Sequence, residues 1–207
     1  MYRPRAFEVN DSAVLRKFIQ DRSFATIAVA AADRVHFAYA PVVVDGEGRG
    51  RARFHLAQQN PVCALADGAL VQFSFLGDDA YISPDWYESK TLVPTWNYSV
   101  VEASGIAQKL DRAALRQLLV DLSAQHEARL LPKPPWLIDK VPEPRIEAML
   151  TAIEGFEVPL GRLEGKFKLS QDKSEADQTS AITGLETRGD ARSVAVATKM
   201  KIWRSGA

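Results

Sequence analysis

The stretch WYESKTLVPTWNYSVVEASG, from Trp86 to Gly105, combines flat aromatic side chains with hydrogen-bonding groups. It holds two of the four tryptophans and two of the five tyrosines, beside a lysine, an asparagine and two threonines. Residues 94–107 follow a strand pattern, so successive side chains alternate between the two sides of a strand. One side can then hydrogen-bond the edge of a planar polar ligand while the other packs. An ordinary core strand with aromatic side chains is the alternative interpretation.

Patterns on both sides of this stretch predict a mainly β or α+β fold. Helices are predicted after Asn10 or Asp11, from Asp111 and from Ser174, each residue being a good helix cap. Six or seven strands without βαβ alternation favour an antiparallel barrel or an α+β fold. The other strand-like segments include SFATIAVAAA (23–32), VHFAYAPVVV (35–44) and RARFHLA (51–57), which predict a three-strand meander, and ALVQFSFLG (69–77), which a loop to residue 91 follows.

The composition is that of an ordinary globular protein and excludes several classes of function. Twenty-six basic residues balance twenty-six acidic ones, so no global charge favours a polyanionic partner. The lone cysteine, Cys63, excludes an internal disulfide and a cysteine-rich zinc site. No apolar run is long enough to cross a membrane or act as a signal peptide. We therefore expect a cytoplasmic protein that does not enter a membrane.

Metal and nucleophile chemistry find no support in the residue pattern. His36, His55 and His126 are isolated and lack the spacing of metal ligands. There is no GxSxG nucleophile motif, and Cys63 falls on a predicted apolar helix face. No catalytic residue and no metal ligand are therefore assigned.

Two further segments offer ligand contacts. FHLAQQNP (54–61) is a strand that enters a helix, where free N–H groups, helped by His55 and Asn60, can hold a phosphate. A β-to-α turn capped by Asn60 is the alternative. In EGKFKLSQDKS (164–174), Lys166 and Lys168 share one strand side, and a solvated charged face is the alternative. With the aromatic strand, these segments supply what a flavin mononucleotide (FMN) site needs.

Three segments resemble the signatures of the PaiB-type FMN-binding negative transcriptional regulators and occur in the same order along the chain: FHLAQQNP, YISPDWYESKTLVPTWNYSVVEASG and EGKFKLSQDKS. The resemblance runs from Met1 to about Leu185, and VPTWNY and GKFKLSQ are its most specific parts. It implies an antiparallel split β-barrel with peripheral helices, similar to that of pyridoxamine-phosphate oxidases. It also implies a homodimer with FMN at the subunit interface. The domain is expected to span residues 1–187, followed by a basic tail at 188–207.

The resemblance implies a set of FMN-binding residues drawn from all three segments. Three positions depart from the family pattern, because Gln58 stands where an arginine is usual, and Tyr39 and Glu102 stand where histidines are usual. The implied residues are His55, Ala57, Gln58 and Asn60 in the strand-to-helix segment, Lys90, Thr95, Trp96, Asn97 and Tyr98 in the aromatic segment, and Lys168, Ser170 and Gln171 near the dimer seam.

Three functions stay open at this point. The family implies repression of transcription, for which the basic tail is the one candidate for DNA contact; these basic residues are Arg188, Arg192, Lys199, Lys201 and Arg204. An FMN-dependent oxidoreductase acting on a small molecule is the second, since the cofactor carries the electrons. A split-barrel binding module that has lost FMN is the third, suggested by Gln58 and Glu102.

Overall fold

The computed structural model describes residues 1–206 of the chain. Short 3-10 helices lie at Arg5–Phe7, Pro84–Trp86, Ala128–Leu130 and Ile138–Lys140. The strands are β1 (Glu8–Val9), β2 (Phe24–Ala30), β3 (Val35–Pro41), β4 (Val43–Asp45), β5 (Arg51–Ala57), β6 (Leu70–Ile82), β7 (Thr95–Ile106), β8 (Gln108–Lys109), β9 (Ile153–Pro159) and β10 (Arg162–Lys168). The α-helices are α1 (Ser12–Arg22), α2 (Cys63–Ala66), α3 (Arg112–Glu127), α4 (Glu143–Leu150), α5 (Glu175–Arg188) and α6 (Ala191–Ser205).

The strands form two sheets, and the strand pairs with a defined register are antiparallel. One has six strands in the order β1-β10-β7-β6-β2-β3, and the other has four in the order β4-β5-β9-β8. Strands β2 and β3 are antiparallel with Thr26 opposite Tyr39, and β2 is antiparallel to β6 with Thr26 opposite Ser74. None of the helices in residues 1–206 has both the length and the apolar character needed to cross a bilayer.

The predicted three-strand meander is correct in its two antiparallel pairings, but residues 35–44 do not form one strand of a single sheet. The chain leaves the six-stranded sheet after Pro41, and β4 pairs with β5 in the four-stranded sheet instead. The N–H of Val42 still donates to the carbonyl of Ser23 at 2.8 Å, and the next residue, Val43, already lies opposite Arg53 in the other sheet. The loop predicted after Gly77 is also too long, because β6 continues to Ile82.

The chain divides into two compact units. The first unit contains Met1–Asp11, Leu76–Val101 and the described residues from Glu164 onwards. Its helix α5 begins after Ser174, whose hydroxyl accepts from the N–H of Asp177 at 3.1 Å, as the sequence predicts. A left-handed residue, Gly189, ends α5, and Asp190 caps α6. The two helices therefore form a tight hairpin.

The expected basic tail is a packed helix. Val196, Ala197 and Met200 of α6 are buried, and the ring of Trp203 meets the ring of Phe167 edge-on at 5.1 Å. Full burial of a Val or Met side chain contributes about 1.5–3 kcal/mol. The described part of the segment that follows residue 187 thus belongs to the core of the first unit.

The second unit contains Ser12–Phe75 and Glu102–Leu163. Its core is built on Phe54, whose ring lies 5.5 Å from Phe73 and 5.4 Å from Phe156. Helix α3 begins at the predicted cap, Asp111, and its leucines pack with α4 in a second apolar cluster. The buried members of that cluster are Val43, Leu115, Leu118, Leu122, Ile146 and Leu150.

Candidate functional site

Strand β7 has one buried side and one accessible side, which explains its mixed composition. Asn97, Ser99 and Val101 are buried, whereas Trp96 is 54% exposed and Tyr98 is half-buried. The alternation follows from the two-residue period of a strand. The aromatic rings are therefore available to a ligand, while Asn97 faces the interior of the first unit.

Asn97 holds a turn in place. Its amide nitrogen Nδ2 donates to the hydroxyl of Ser170 at 2.9 Å and approaches the sulfur of Met200 at 3.4 Å. Ser170 has a positive φ of 64°, a conformation that costs a non-glycine residue energy. Gln171 folds back on the same turn, because its Oε1 accepts from the N–H of Leu169 at 2.6 Å. These polar groups bond to one another, and direct contact between them and FMN stays a prediction.

Lys168 fixes the beginning of β7. Its ammonium group donates to the hydroxyl of Thr95 and, at 2.7 Å, to the carbonyl oxygen of Trp96. Burial lowers the pKa of the Lys168 ammonium, an effect that Asp172 opposes and Lys173 reinforces. Lys168 thus stabilises the backbone at Thr95 and Trp96 through these hydrogen bonds.

Aromatic rings and a lysine form an accessible surface on the first unit. Trp96 meets Tyr81 edge-on at 6.0 Å between ring centroids. The ammonium nitrogen of Lys166 lies 5.3 Å from the centroid of the Tyr98 ring and 5.6 Å from that of Tyr2. We call these five residues the aromatic-cationic surface. It offers flat π-faces beside a positive charge, which suits a planar anion.

Three members of this surface were outside the implied set. Tyr81 was not predicted as a ligand contact, because the sequence predicted a loop where β6 continues to Ile82. Lys166 lies on the same side of β10 as Lys168, and this two-residue spacing could have identified Lys166 as a site residue. Tyr2 is far from Lys166 in the sequence, and no local pattern shows that the two residues meet. Lys90, by contrast, donates to the carbonyl oxygen of Tyr87 at 3.2 Å, within the loop before β7.

The strand-to-helix segment of the second unit lies at the end of β5. The N–H of Gln58 is bonded to the carbonyl of Ala152 and that of Asn60 to the carbonyl of Ala57, at 2.9 and 2.8 Å. Asn60 also caps the next turn, since its Oδ1 accepts from the N–H of Val62 at 3.0 Å. A phosphate there would find the exposed carboxamide of Gln58 and the amide nitrogen of Asn60. These donors are neutral, so this segment fits a phosphate less strongly than an arginine would.

His55 lies in the β5 part of this segment, but its ring points away from Gln58 and Asn60. Along β5, Phe54 and Leu56 face the core, so His55 points to the opposite side, towards α3. Its imidazole lines a cavity of the second unit, and Nδ1 is buried without a hydrogen-bond partner. Its predicted role at a phosphate stays a prediction.

The two residues that stand in place of histidines lie on accessible positions of the second unit. Tyr39 is 64% exposed on the edge strand β3. Glu102 is half-buried, and its carboxylate accepts from the carboxamide of Gln72 at 3.4 Å. Gln72 lies opposite Ala28, and Ala28 lies opposite Phe37, so these residues share the outer side of the sheet with Tyr39. Tyr39 and Glu102, which depart from the family pattern, thus lie outside the buried core of the second unit.

The family model described as "Putative FMN-binding domain" matches residues 1–162. This chain belongs to that FMN-binding domain family. FMN is accordingly its cofactor, as the resemblance implied. The "Protease synthase and sporulation protein PAI 2" of Bacillus subtilis (strain 168) is 30% identical over 190 residues, which cover 90% of this chain and 89% of that protein. The PaiB-type resemblance is thereby confirmed.

Solved structures agree on the fold. The FAD and heme binding protein from Mycobacterium smegmatis superposes with a TM-score of 0.59 at 15% identity, over 84% of this chain and 79% of that one. The conserved hypothetical protein Rv2991 from Mycobacterium tuberculosis gives a TM-score of 0.60 at 13% identity, over 84% and 95%. The predicted flavin-binding split barrel with peripheral helices is confirmed.

Proposed function

We propose that this FMN-binding domain protein is a homodimeric regulator whose flavin ring lies against the aromatic-cationic surface. The observation that carries the proposal is the 54% exposure of Trp96 beside Tyr81 and in line with Tyr98. Exposed aromatic rings that lie next to one another, unlike a single exposed apolar side chain, are typical of a surface that a ligand or partner covers. When bound, FMN supplies redox chemistry, and the protein residues bind and orient it.

The cation of this surface supports the choice of an anionic ligand. The ammonium group of Lys166 stands over the Tyr98 ring, and Lys168 holds the Trp96 backbone on the same strand. Lys166 thus places positive charge beside the ring face that would stack on the flavin. The ligand class expected from these contacts is a planar heterocycle that carries negative charge.

Flavin retention tests the ring contact. The purified protein is incubated with FMN and desalted, and its absorbance spectrum is compared with that of a Trp96→Ala variant. Loss of one aromatic contact of about 0.5–1.5 kcal/mol raises the Kd about 2- to 13-fold. Leu137→Ala removes an equally exposed apolar side chain elsewhere and is expected to leave the Kd unchanged. A wild-type protein that loses all flavin on desalting, or a Trp96→Ala variant with wild-type affinity, would contradict the proposal.

The phosphate contact is a separate part of the proposal, assigned to the exposed side chain of Gln58. An arginine there would add a bidentate, charged donor in place of a neutral amide. The variant Gln58→Arg is therefore expected to tighten FMN binding by about tenfold or more, because a hydrogen bond to charge contributes about 1.5–3 kcal/mol. The same variant is titrated with riboflavin, which lacks the phosphate and should show no gain. An equal gain for both ligands would remove Gln58 from the phosphate site.

The dimer is assigned to the outer side of the second unit's sheet. Phe24, Phe37, Tyr39 and Leu70 are each 58–64% exposed, and Gln72 lies among them. The register of β2 with β3 and β6 places these side chains on one side of the sheet. An apolar patch of this kind marks an interface, and a second copy presents the same patch across a twofold axis. Light scattering should give twice the mass of the 22.9 kDa chain, and Phe37→Glu should give the monomer mass.

Direct contact with DNA receives less support from the basic residues of α6. Arg192 lies 3.7 Å from Asp79, Lys201 pairs with Glu186, and Arg204 donates to the hydroxyl of Thr179. A cation paired within the fold has less to offer a phosphate backbone. A mobility-shift titration at low salt tests repression by direct binding, which requires a shift that weakens steeply as salt rises. Without any shift, regulation would have to act through another partner.

A further inference from the structure

A cavity of the second unit lies between helices α3 and α4 and the connector that joins them. Its volume is about 430 Å³, within the range of about 300–1,000 Å³ that small-molecule sites occupy. Its described lining residues all belong to the second unit, and none is a member of the aromatic-cationic surface. The lining is mainly apolar and includes Leu119, Leu122, Trp136, Ile138, Val141 and Met149.

The apolar core of the second unit is incompletely covered at this cavity. Leu119, Ile138 and Val141 pack against the buried cluster of α3 and α4, yet each is only half-buried. Trp136 is also half-buried, and Met149 is 55% exposed. These five side chains line one cavity, unlike apolar side chains that are scattered singly over a surface. An apolar ligand covers such a wall favourably, because apolar area of both the ligand and the protein is removed from water.

The charged and hydroxyl side chains of the wall already have partners. The carboxylate of Glu127 pairs with Lys133, and the hydroxyl of Ser123 donates at 2.8 Å to a carbonyl one turn earlier in α3. The unpartnered nitrogens His55 Nδ1 and His126 Nε2 are buried out of reach of water, so they are not contacts for a ligand. Among the described residues that line the cavity, none is a lysine or an arginine. An anion would therefore be taken from water without a counter-charge, which excludes FMN as the occupant.

We propose that this cavity is a second ligand site of the protein, which binds a small, uncharged apolar compound. The ligand packs against Leu119, Trp136 and Val141, and its binding depends on apolar contact alone. Apolar cavities of proteins bind hydrocarbons such as benzene in this way. Met149 is exposed and lines the cavity, so a ligand can enter beside it. The site does not depend on the flavin, because it is made by other residues.

Alkylbenzenes are the probes, titrated into the protein in the presence of excess FMN. The chain has three methionines, of which Met149 belongs to the second unit and Met1 and Met200 belong to the first. Carbon-13 spectra of the methionine methyl groups therefore report on the cavity with two internal references, and a Met149→Leu variant assigns the signal. Toluene, ethylbenzene and propylbenzene should shift Met149 alone. Each added methylene group should lower the Kd about fourfold, as expected for its burial.

Two polar compounds test the apolar character of the site. Benzyl alcohol matches ethylbenzene in size, with a hydroxyl in place of a methyl group. It should bind about tenfold more weakly or worse, because its hydroxyl leaves water without gaining a partner. Benzoate should bind more weakly again, since its charge meets no counter-charge in the wall.

Two variants separate binding at this cavity from binding elsewhere. Ser123→Phe fills the cavity and should abolish binding of all three alkylbenzenes. Thr198→Phe is the matched control, because Thr198 is exposed on α6 and its hydroxyl also donates to a carbonyl one turn earlier; this variant should bind as the wild type does.

Four results would overturn the proposal: no shift of Met149 with any alkylbenzene, an equal shift of Met200, benzyl alcohol binding as tightly as ethylbenzene, or a folded Ser123→Phe variant with wild-type affinity. The wild-type spectra decide the first three even if a variant fails to fold.

Discussion

Gly105 provides the sharpest test of the packing in the second unit. It lies near the end of β7, where a Cβ atom would sit 2.0 Å from the carbonyl oxygen of Pro159 and 2.9 Å from Cγ1 of Val158. Real Cβ atoms essentially never approach another heavy atom within 3.0 Å, so the backbone would have to move by about 1 Å. Because the obstacle is a main-chain carbonyl, no side-chain rotation can relieve the clash.

The variant Gly105→Ala is therefore expected to lower the free energy of unfolding by about 3 kcal/mol, the upper part of the usual range for overpacking. In a chain of 207 residues, each kcal/mol corresponds to about 2–4 °C in Tm. The expected loss is thus about 6–12 °C. Urea and thermal unfolding, followed by circular dichroism, measure both quantities.

Gly161→Ala is the matched control, since a Cβ at Gly161 would have its nearest neighbour, the carbonyl oxygen of Ser104, at 3.8 Å. That is an ordinary van der Waals contact, and the change in unfolding free energy should stay within about 1 kcal/mol. If Gly105→Ala unfolds at the same temperature as the control, the close approach of β7 to the end of β9 is refuted.

Three more predictions concern buried polar groups and packing. Ser170→Ala removes the hydroxyl that accepts from the buried carboxamide of Asn97 and keeps the positive φ, so the free energy of unfolding should fall by about 1–3 kcal/mol. Ser170→Gly also relieves the backbone strain and should lose less. The midpoints of urea unfolding rank the two variants. The pKa values of His55 and His126 are lowered in the folded state, so the unfolded chain binds protons first as pH falls. The free energy of unfolding should therefore be highest above the ordinary histidine pKa of 6.5 and decline below it. In urea titrations, a His55→Phe/His126→Phe variant should show a smaller decline. Gly184→Ala would bring a Cβ to 2.4 Å from the indole ring of Trp86 and should cost about 1–3 kcal/mol, with a change in tryptophan fluorescence; an unchanged spectrum and midpoint would show that the indole moves aside freely.

Local residue patterns were sufficient for the elements that carry the candidate site. Trp96 and Tyr98 lie on one side of β7 and Asn97 on the other, as the two-residue period of a strand requires. Asp111 and Ser174 cap α3 and α5, because their side-chain oxygens accept from the N–H groups three residues further on. These features depend on neighbours in sequence, so the sequence contains the information.

Long-range pairing decided the features that the patterns missed. Val43 and Val44 read as a continuation of β3, yet β4 joins the other sheet, since strand-forming residues suit either sheet equally. The chain after residue 187 looked like a charged extension, but Val196 and Met200 bury one side of α6 while its cations pair with residues of the same unit. In a helix such as α6, which mixes apolar and basic residues, the buried side is decided by the elements that pack against it and not by the helix alone.

The sequence by itself determined the antiparallel split-barrel class, the aromatic strand and membership of the FMN-binding family, because strand period, capping residues and signature segments are local. Only the tertiary structure decided that Tyr2 and Tyr81 join Trp96 on one surface, and that His55 and His126 meet in one cavity from β5 and α3. The physical reason is separation along the chain. His55 and His126 are 71 positions apart, so whether they line one cavity depends on how whole elements pack, and no local propensity encodes it.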